Sequence, residues 1–102
     1  MVQPKLKIPK HELAQFCRKY GIRKLAIYGS VLRDDFGPQS DVDVLVEFQP
    51  GRTIGLRIID MEAELSRLLG GKHKADIVSA KYLNPRLRDN ILASAEVQYA
   101  ED

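Results

Sequence analysis

Apolar residues in the first third of this chain recur first at helical and then at strand spacing. Between Lys10 and Tyr20 they stand three and four positions apart, at Leu13, Phe16, Cys17 and Tyr20. That spacing predicts a helix with one buried face, and Gly21 is placed to end it. Alternating residues then predict a strand over 22–28.

The middle of the chain predicts a short helical piece, a loop and a buried strand. Residues 31–35 can form one short helix, and Gly37 and Pro38 mark a loop over 36–40. The segment 41–48 is rich in β-branched residues and has apolar residues on both faces from Val44 onward. We therefore expect it to be an interior strand of a sheet.

A second amphipathic helix follows, with Thr53 as the expected cap and Gly70-Gly71 as its end. Its apolar positions recur at helical spacing, at Ile54, Ile58, Met61, Leu65 and Leu68. Residues 74–79 predict a third strand.

The last part of the chain predicts a helix and a short strand. Asn84 and Pro85 suit the N-cap and first position of the helix. We expect the inner face of this helix to comprise Leu87, Ile91 and Ala95, and residues 97–99 to form an edge strand. The element order predicts an α/β (α+β) domain with helices packed on a small mixed sheet.

The length of 102 residues suits one domain, so we expect a single unit over 1–102 with residues 1–9 loosely docked. A net charge of +2 is too small to argue for nucleic-acid binding, and we expect no nucleic-acid partner. The one cysteine, Cys17, excludes an internal disulfide. Without an N-terminal apolar run or a stretch of about 18 apolar residues, we expect a cytoplasmic protein without membrane contact.

Asp41 and Asp43 are the first candidate for chemistry. Because alternate side chains of a strand point the same way, the sequence places both carboxylates on one face. Two carboxylates about 4 Å apart repel by about 4 kcal/mol at an effective dielectric constant of about 20. Such a pair is either well solvated at a loop end or bridged by a cation. Its oxygen ligands favour Mg²⁺ or Mn²⁺.

Gly29 and Ser30 stand where the first strand passes into a helical turn. Glycine allows close approach of a phosphate, and backbone N–H groups point outward at a helix start. By itself, a Gly-Ser pair is also typical of an ordinary turn. The Lys and Thr of a P-loop are absent here, which excludes a Walker site.

Taken together, these residues resemble the minimal nucleotidyltransferases of the DNA polymerase beta superfamily. Ten residues separate Ser30 from Asp41, as in that family's Gly-Ser to Asp-x-Asp signature. The helix after Pro50, the strand around Asp76 and the Asn84-Pro85 helix also resemble the family.

The resemblance implies a polymerase beta-like fold and a metal-dependent nucleotidyl transfer, with ATP as the expected substrate. It implies that Asp41 and Asp43 bind two Mg²⁺ ions, with Mn²⁺ as an alternative, and that Asp76 supplies the third carboxylate. It further implies that Gly29 and Ser30 hold the triphosphate. Arg33, one short turn onward, could reach a phosphate or form a surface salt bridge.

Small members of this family commonly act as antitoxins beside a helical partner of the HEPN type, so the resemblance implies such a partner as the acceptor of AMP. No acceptor-binding helical domain is visible in the sequence, and we expect a second protein to supply that surface. Two alternatives stay open. The chain could neutralise its partner by covering it without catalysis, or it could modify a small molecule.

Overall fold

The computed structural model describes residues 8–29, 37, 40–51 and 55–101. Its elements are α1 (Lys10–Tyr20), β1 (Ile22–Tyr28), β2 (Val42–Phe48), α2 (Ile58–Leu68), β3 (Ala75–Ser79), α3 (Pro85–Ser94) and β4 (Glu96–Ala100). Short 3₁₀ turns at Gly55–Arg57 and Ala80–Tyr82 precede α2 and α3. This arrangement confirms the expected α/β class.

The four described strands form one mixed sheet in the order β3-β2-β1-β4. β1 pairs antiparallel with both β2 and β4, whereas β2 and β3 run parallel. β4 lies at the edge, as the sequence predicted for residues 97–99. The backbone N–H of Val42 donates to Lys74 O at 2.8 Å and ties the start of β2 to the segment before β3.

One face of the sheet carries the hydrophobic core. α1 contacts β1 and β4, α2 contacts β3, and the two helices contact each other. The core cluster takes alternate residues of the central strand, Val42, Val44 and Val46. Because strand side chains alternate, Asp43 and Leu45 point to the opposite face.

The opposite face is partly covered by α3. This helix joins β3 to β4 and contacts β1. Ala26 and Leu45 are buried but lie outside the core cluster, as expected for side chains beneath α3. No residue of α3 is fully buried, so this layer is the thinner of the two.

The predicted bounds of α1 and β1 are confirmed, whereas some other predictions differ from the structure. Leu87 is 49 % exposed and does not belong to an inner face of α3. The strand expected from residue 41 begins at Val42, and the strand expected from residue 74 begins at Ala75. Thr53 was expected to cap α2, but α2 begins at Ile58 and Arg57 occupies its N-cap position. The short helix expected over 31–35 lies outside the described residues.

Candidate active site

Strand pairing brings Tyr28, Asp43 and Asp76 into one row across three neighbouring strands. Tyr28 is paired with Asp43 between β1 and β2. Asp43 is paired with Asp76 between β2 and β3. Directly paired residues project from the same face of a sheet, with Cβ atoms about 5 Å apart in antiparallel pairs. The row therefore lies on the face opposite the main core, at the end where β1 finishes and β2 and β3 begin.

This register confirms that Asp76 shares a face with Asp43, as required of a third carboxylate. The distance between Asp43 and Asp76 along the sequence did not predict whether the two residues would be neighbours in the fold. The parallel pairing of β2 with β3 places them side by side. Asp43 is half-buried and Asp76 is exposed.

Gly29 packs against the middle of this row. Its φ of 79° lies in the left-handed region that favours glycine. A Cβ atom placed on Gly29 would overlap Asp43 Oδ2 and would also lie 3.4 Å from Asp43 Cγ. The absent side chain thus leaves the space that the Asp43 carboxylate occupies.

Asp41 lies just before β2, two residues from Asp43, and is exposed. The neighbouring backbone is held in place, since His73 Nδ1 lies 2.9 Å from Ser40 O. Ser40 in turn donates its N–H to Gly37 O at 3.1 Å and accepts from Gly37 N at 3.0 Å. These contacts hold the backbone at Ser40, directly before Asp41.

The donor set suits a hard divalent cation. All three candidate side chains are carboxylates, and like charges directly opposed on neighbouring strands destabilise a sheet unless a cation offsets them. Within the described part of the chain, no three His, Cys, Asp or Glu side chains are grouped closely enough to hold a metal ion. Asp43 and Asp76 are adjacent through their register, and the joint role of all three stays a prediction.

Ser30 and Arg33, the other predicted phosphate contacts, lie outside the described residues. Gly29 is described and lies beside Asp43, and its contact with a phosphate stays a prediction.

Tyr28 belongs to the site although the sequence analysis assigned it no role. Burial raises the pKa of its phenol, and the charges of Asp43 and Asp76 raise it further. Both carboxylates therefore act electrostatically on one hydroxyl. The sequence signal was present, because Tyr28 ends the strand that leads directly into Gly29.

A cavity of about 350 Å³ lies at the other end of the strands. It is lined by the last residues of β2 and β3 and by residues that follow them, including Phe48, Ser79, Tyr82 and Arg88. The carboxylate row lies at the starts of these strands, so this cavity is separate from the candidate site. No helix among the described residues is long and apolar enough to cross a membrane.

Comparison with known families identifies relatives of this chain. A family model described as "Polymerase beta, Nucleotidyltransferase" matches residues 11–102. A candidate protein adenylyltransferase of Methanocaldococcus jannaschii is 31 % identical over 86 residues, which span 84 % of this chain and 89 % of that protein. The protein adenylyltransferase MntA of Thermococcus cleftensis is 31 % identical over 74 residues, with 72 % of each chain covered.

Solved structures show the same fold. A candidate minimal nucleotidyltransferase superposes with a TM-score of 0.69 at 36 % identity and covers 84 % of this chain and 85 % of its own. A chain from the complex of a tri-AMPylated Shewanella oneidensis HEPN toxin with an MNT antitoxin gives a TM-score of 0.63 at 13 % identity, covering 89 % of this chain and 69 % of its own. The second likeness is one of fold alone.

Proposed function

Since this chain belongs to the polymerase beta nucleotidyltransferase family, as its Gly29-Ser30 and Asp41-x-Asp43 motif predicted, we propose that it transfers AMP from ATP to a hydroxyl group of a HEPN-type partner and thereby acts as an antitoxin. Membership implies a nucleotide substrate and a divalent metal ion. The observation that carries the proposal is the register of Asp43 with Asp76 beside Gly29. This register brings two carboxylates together beside Gly29, the residue that we propose contacts a phosphate.

The site residues divide into three roles in this reaction. Asp41 and Asp43 hold the metal ions, for which we propose two Mg²⁺ with Mn²⁺ as a substitute. Gly29, Ser30 and Arg33 hold the triphosphate. Asp76, at the outer end of the row, lies on the acceptor side.

The chemical step is an in-line displacement at the α-phosphorus of ATP. The acceptor hydroxyl oxygen forms a bond to that phosphorus, and the bond to pyrophosphate breaks. Asp76 is positioned to take the hydroxyl proton. The bound cations supply positive charge that stabilises the leaving pyrophosphate.

The nature of the partner is supported by the relatives. Two of them carry the name protein adenylyltransferase, with the M. jannaschii protein a candidate for that activity. The fold recurs in a complex that contains an AMPylated HEPN toxin. We therefore propose a protein hydroxyl as the acceptor, one nucleotidyltransferase domain over 1–102, and, because the reaction consumes ATP, a cytoplasmic setting.

The proposal is tested by incubating the chain with α-labelled ATP, Mg²⁺ and a candidate HEPN-type partner protein. We expect label on the HEPN protein, and none with Asp41→Asn or Asp43→Asn. Asp76→Asn should slow transfer by orders of magnitude while leaving ATP affinity within a few-fold. If the two proteins bind each other but no label moves, the chain neutralises its partner by covering it, and the enzymatic proposal is wrong.

A further inference from the structure

The row Tyr28–Asp43–Asp76 has two ends with different surroundings. Asp76 lies on β3, at the end that we assign to the acceptor. Tyr28 lies on β1 and is followed directly by Gly29, which packs against Asp43 and which we propose as a phosphate-binding residue. Asp43 stands between them, so Tyr28 lies on the triphosphate side of the metal-binding carboxylates.

We propose that Tyr28 is a nucleotide-binding residue whose phenolic O–H donates a hydrogen bond to an oxygen of the triphosphate. This inference rests on the function proposed above and adds a side-chain donor to the backbone grip at Gly29. It concerns the binding of ATP and not the transfer step, because the acceptor side of the row belongs to Asp76.

The surroundings of the phenol suit a donor. The side chain is half-buried on the same face as Asp43, so its direction is fixed by the strand and not by solvent. A tyrosine side chain carries its O–H at neutral pH, because the ordinary pKa of a phenol is about 10. A protonated phenol donates to phosphate oxygens, whereas a phenolate would repel them.

The decisive variant is Tyr28→Phe, which removes one oxygen and keeps the ring. Its matched control is Tyr82→Phe, because Tyr82 is 68 % exposed and lines the cavity at the opposite end of the strands. Binding of ATP and of pyrophosphate, each with Mg²⁺, is measured by calorimetry. Pyrophosphate is included because it contains the phosphates alone.

We expect Tyr28→Phe to lower the affinity for both ligands about ten-fold, which corresponds to the loss of one hydrogen bond to a charged group. Tyr82→Phe should leave both affinities unchanged. In steady-state transfer the KM for ATP should rise while kcat stays within about two-fold, the reverse of Asp76→Asn. Wild-type affinity for both ligands in Tyr28→Phe would overturn the inference.

A second variant separates hydrogen bonding from packing. Tyr28→His retains an N–H donor on a smaller ring and should bind pyrophosphate more tightly than Tyr28→Phe. Equal losses in the two variants would assign Tyr28 to packing and overturn the inference. If the wild-type chain transfers AMP and Tyr28→Phe binds ATP and pyrophosphate as tightly as the wild type does, only this inference fails. If the wild-type chain does not bind ATP with Mg²⁺, the proposed function fails as well.

Discussion

Gly29 meets two constraints at once, a left-handed backbone and a neighbouring carboxylate that fills the space of a side chain. Gly29→Ala should therefore destabilise the fold and displace Asp43. We expect a loss of about 2 kcal/mol or more in the free energy of unfolding, since the left-handed conformation alone costs about 1–2 kcal/mol. Chemical denaturation and calorimetry with Mg²⁺ and ATP measure the two effects.

Gly51 provides the control for that substitution. Its φ is 83°, close to that of Gly29, but nothing lies within 4 Å of a Cβ added there. Gly51→Ala should show the backbone cost alone and bind ATP as the wild type does. Equal destabilisation of the two variants with unchanged ATP affinity would mean that the contact with Asp43 is unimportant.

The Cys17 thiol is buried in the core, and burial raises its pKa to about 12. In the unfolded chain it ionises near pH 9, so the folded protein holds the proton more tightly above that pH. The resulting stability is present below pH 9 and is lost as pH rises toward 12. Between pH 9 and 10.5 the loss is about 2 kcal/mol.

This pH effect is measured by urea denaturation of the wild type and of Cys17→Ala across that range. Other ionisable groups contribute equally to both proteins, so the difference between their slopes isolates the thiol. Parallel pH profiles would show that Cys17 ionises in the folded protein as it does in the unfolded one.

The start of α3 depends on a single side-chain cap. Asn84 accepts a hydrogen bond from the backbone N–H of Arg86 at 2.9 Å, and Pro85 occupies the first helical position. Asn84→Ala should cost about 1 kcal/mol in the free energy of unfolding. Asn90→Ala, at an exposed position inside the same helix, should be neutral or slightly stabilising. A larger loss of stability in Asn90→Ala than in Asn84→Ala would show that the cap does not hold the helix.

Elements with strong local signals were predictable from the sequence. α1 and β1 have the predicted bounds because a clear apolar period ends at Gly21, which adopts a left-handed φ of 71°. The cap of α3 was also predictable, because Asn84 and Pro85 are a local signal for the start of a helix. The inner face of α3 was not predictable from the sequence. Leu87 stands at helical spacing, but few other residues cover it in the fold and it stays exposed.

The site was predictable only in part, since its motif is local and its geometry is not. The shared face of Asp41 and Asp43 stays a prediction from strand alternation, because Asp41 lies just before the start of β2. The pairing of Asp43 with Tyr28 and with Asp76 depends on which strands become neighbours, and that choice is made by the whole sheet. Tyr28 was missed for this reason.

One face of the sheet packs against the hydrophobic core, and the opposite face carries the carboxylates of Asp43 and Asp76. A ligand on the charged face can therefore stabilise the fold without rearranging the core. With Mg²⁺ present, ATP at about 100 times its Kd should raise the free energy of unfolding by about 2.7 kcal/mol. Thermal or chemical denaturation should show this gain disappear in EDTA, and an equal gain in EDTA would contradict a metal-dependent site.

The absence of any fully buried residue in α3 has a consequence for motion. Segments with few buried contacts open with a smaller free energy than the rest of the fold, and their amide hydrogens exchange sooner with solvent. The amides of α3 should thus lose protection before those of β1 and β2 do. Such sub-global opening would uncover Ala26 and Leu45 and leave the other layer folded. The molecule would then present an extra apolar surface beside its carboxylates for a short part of its lifetime.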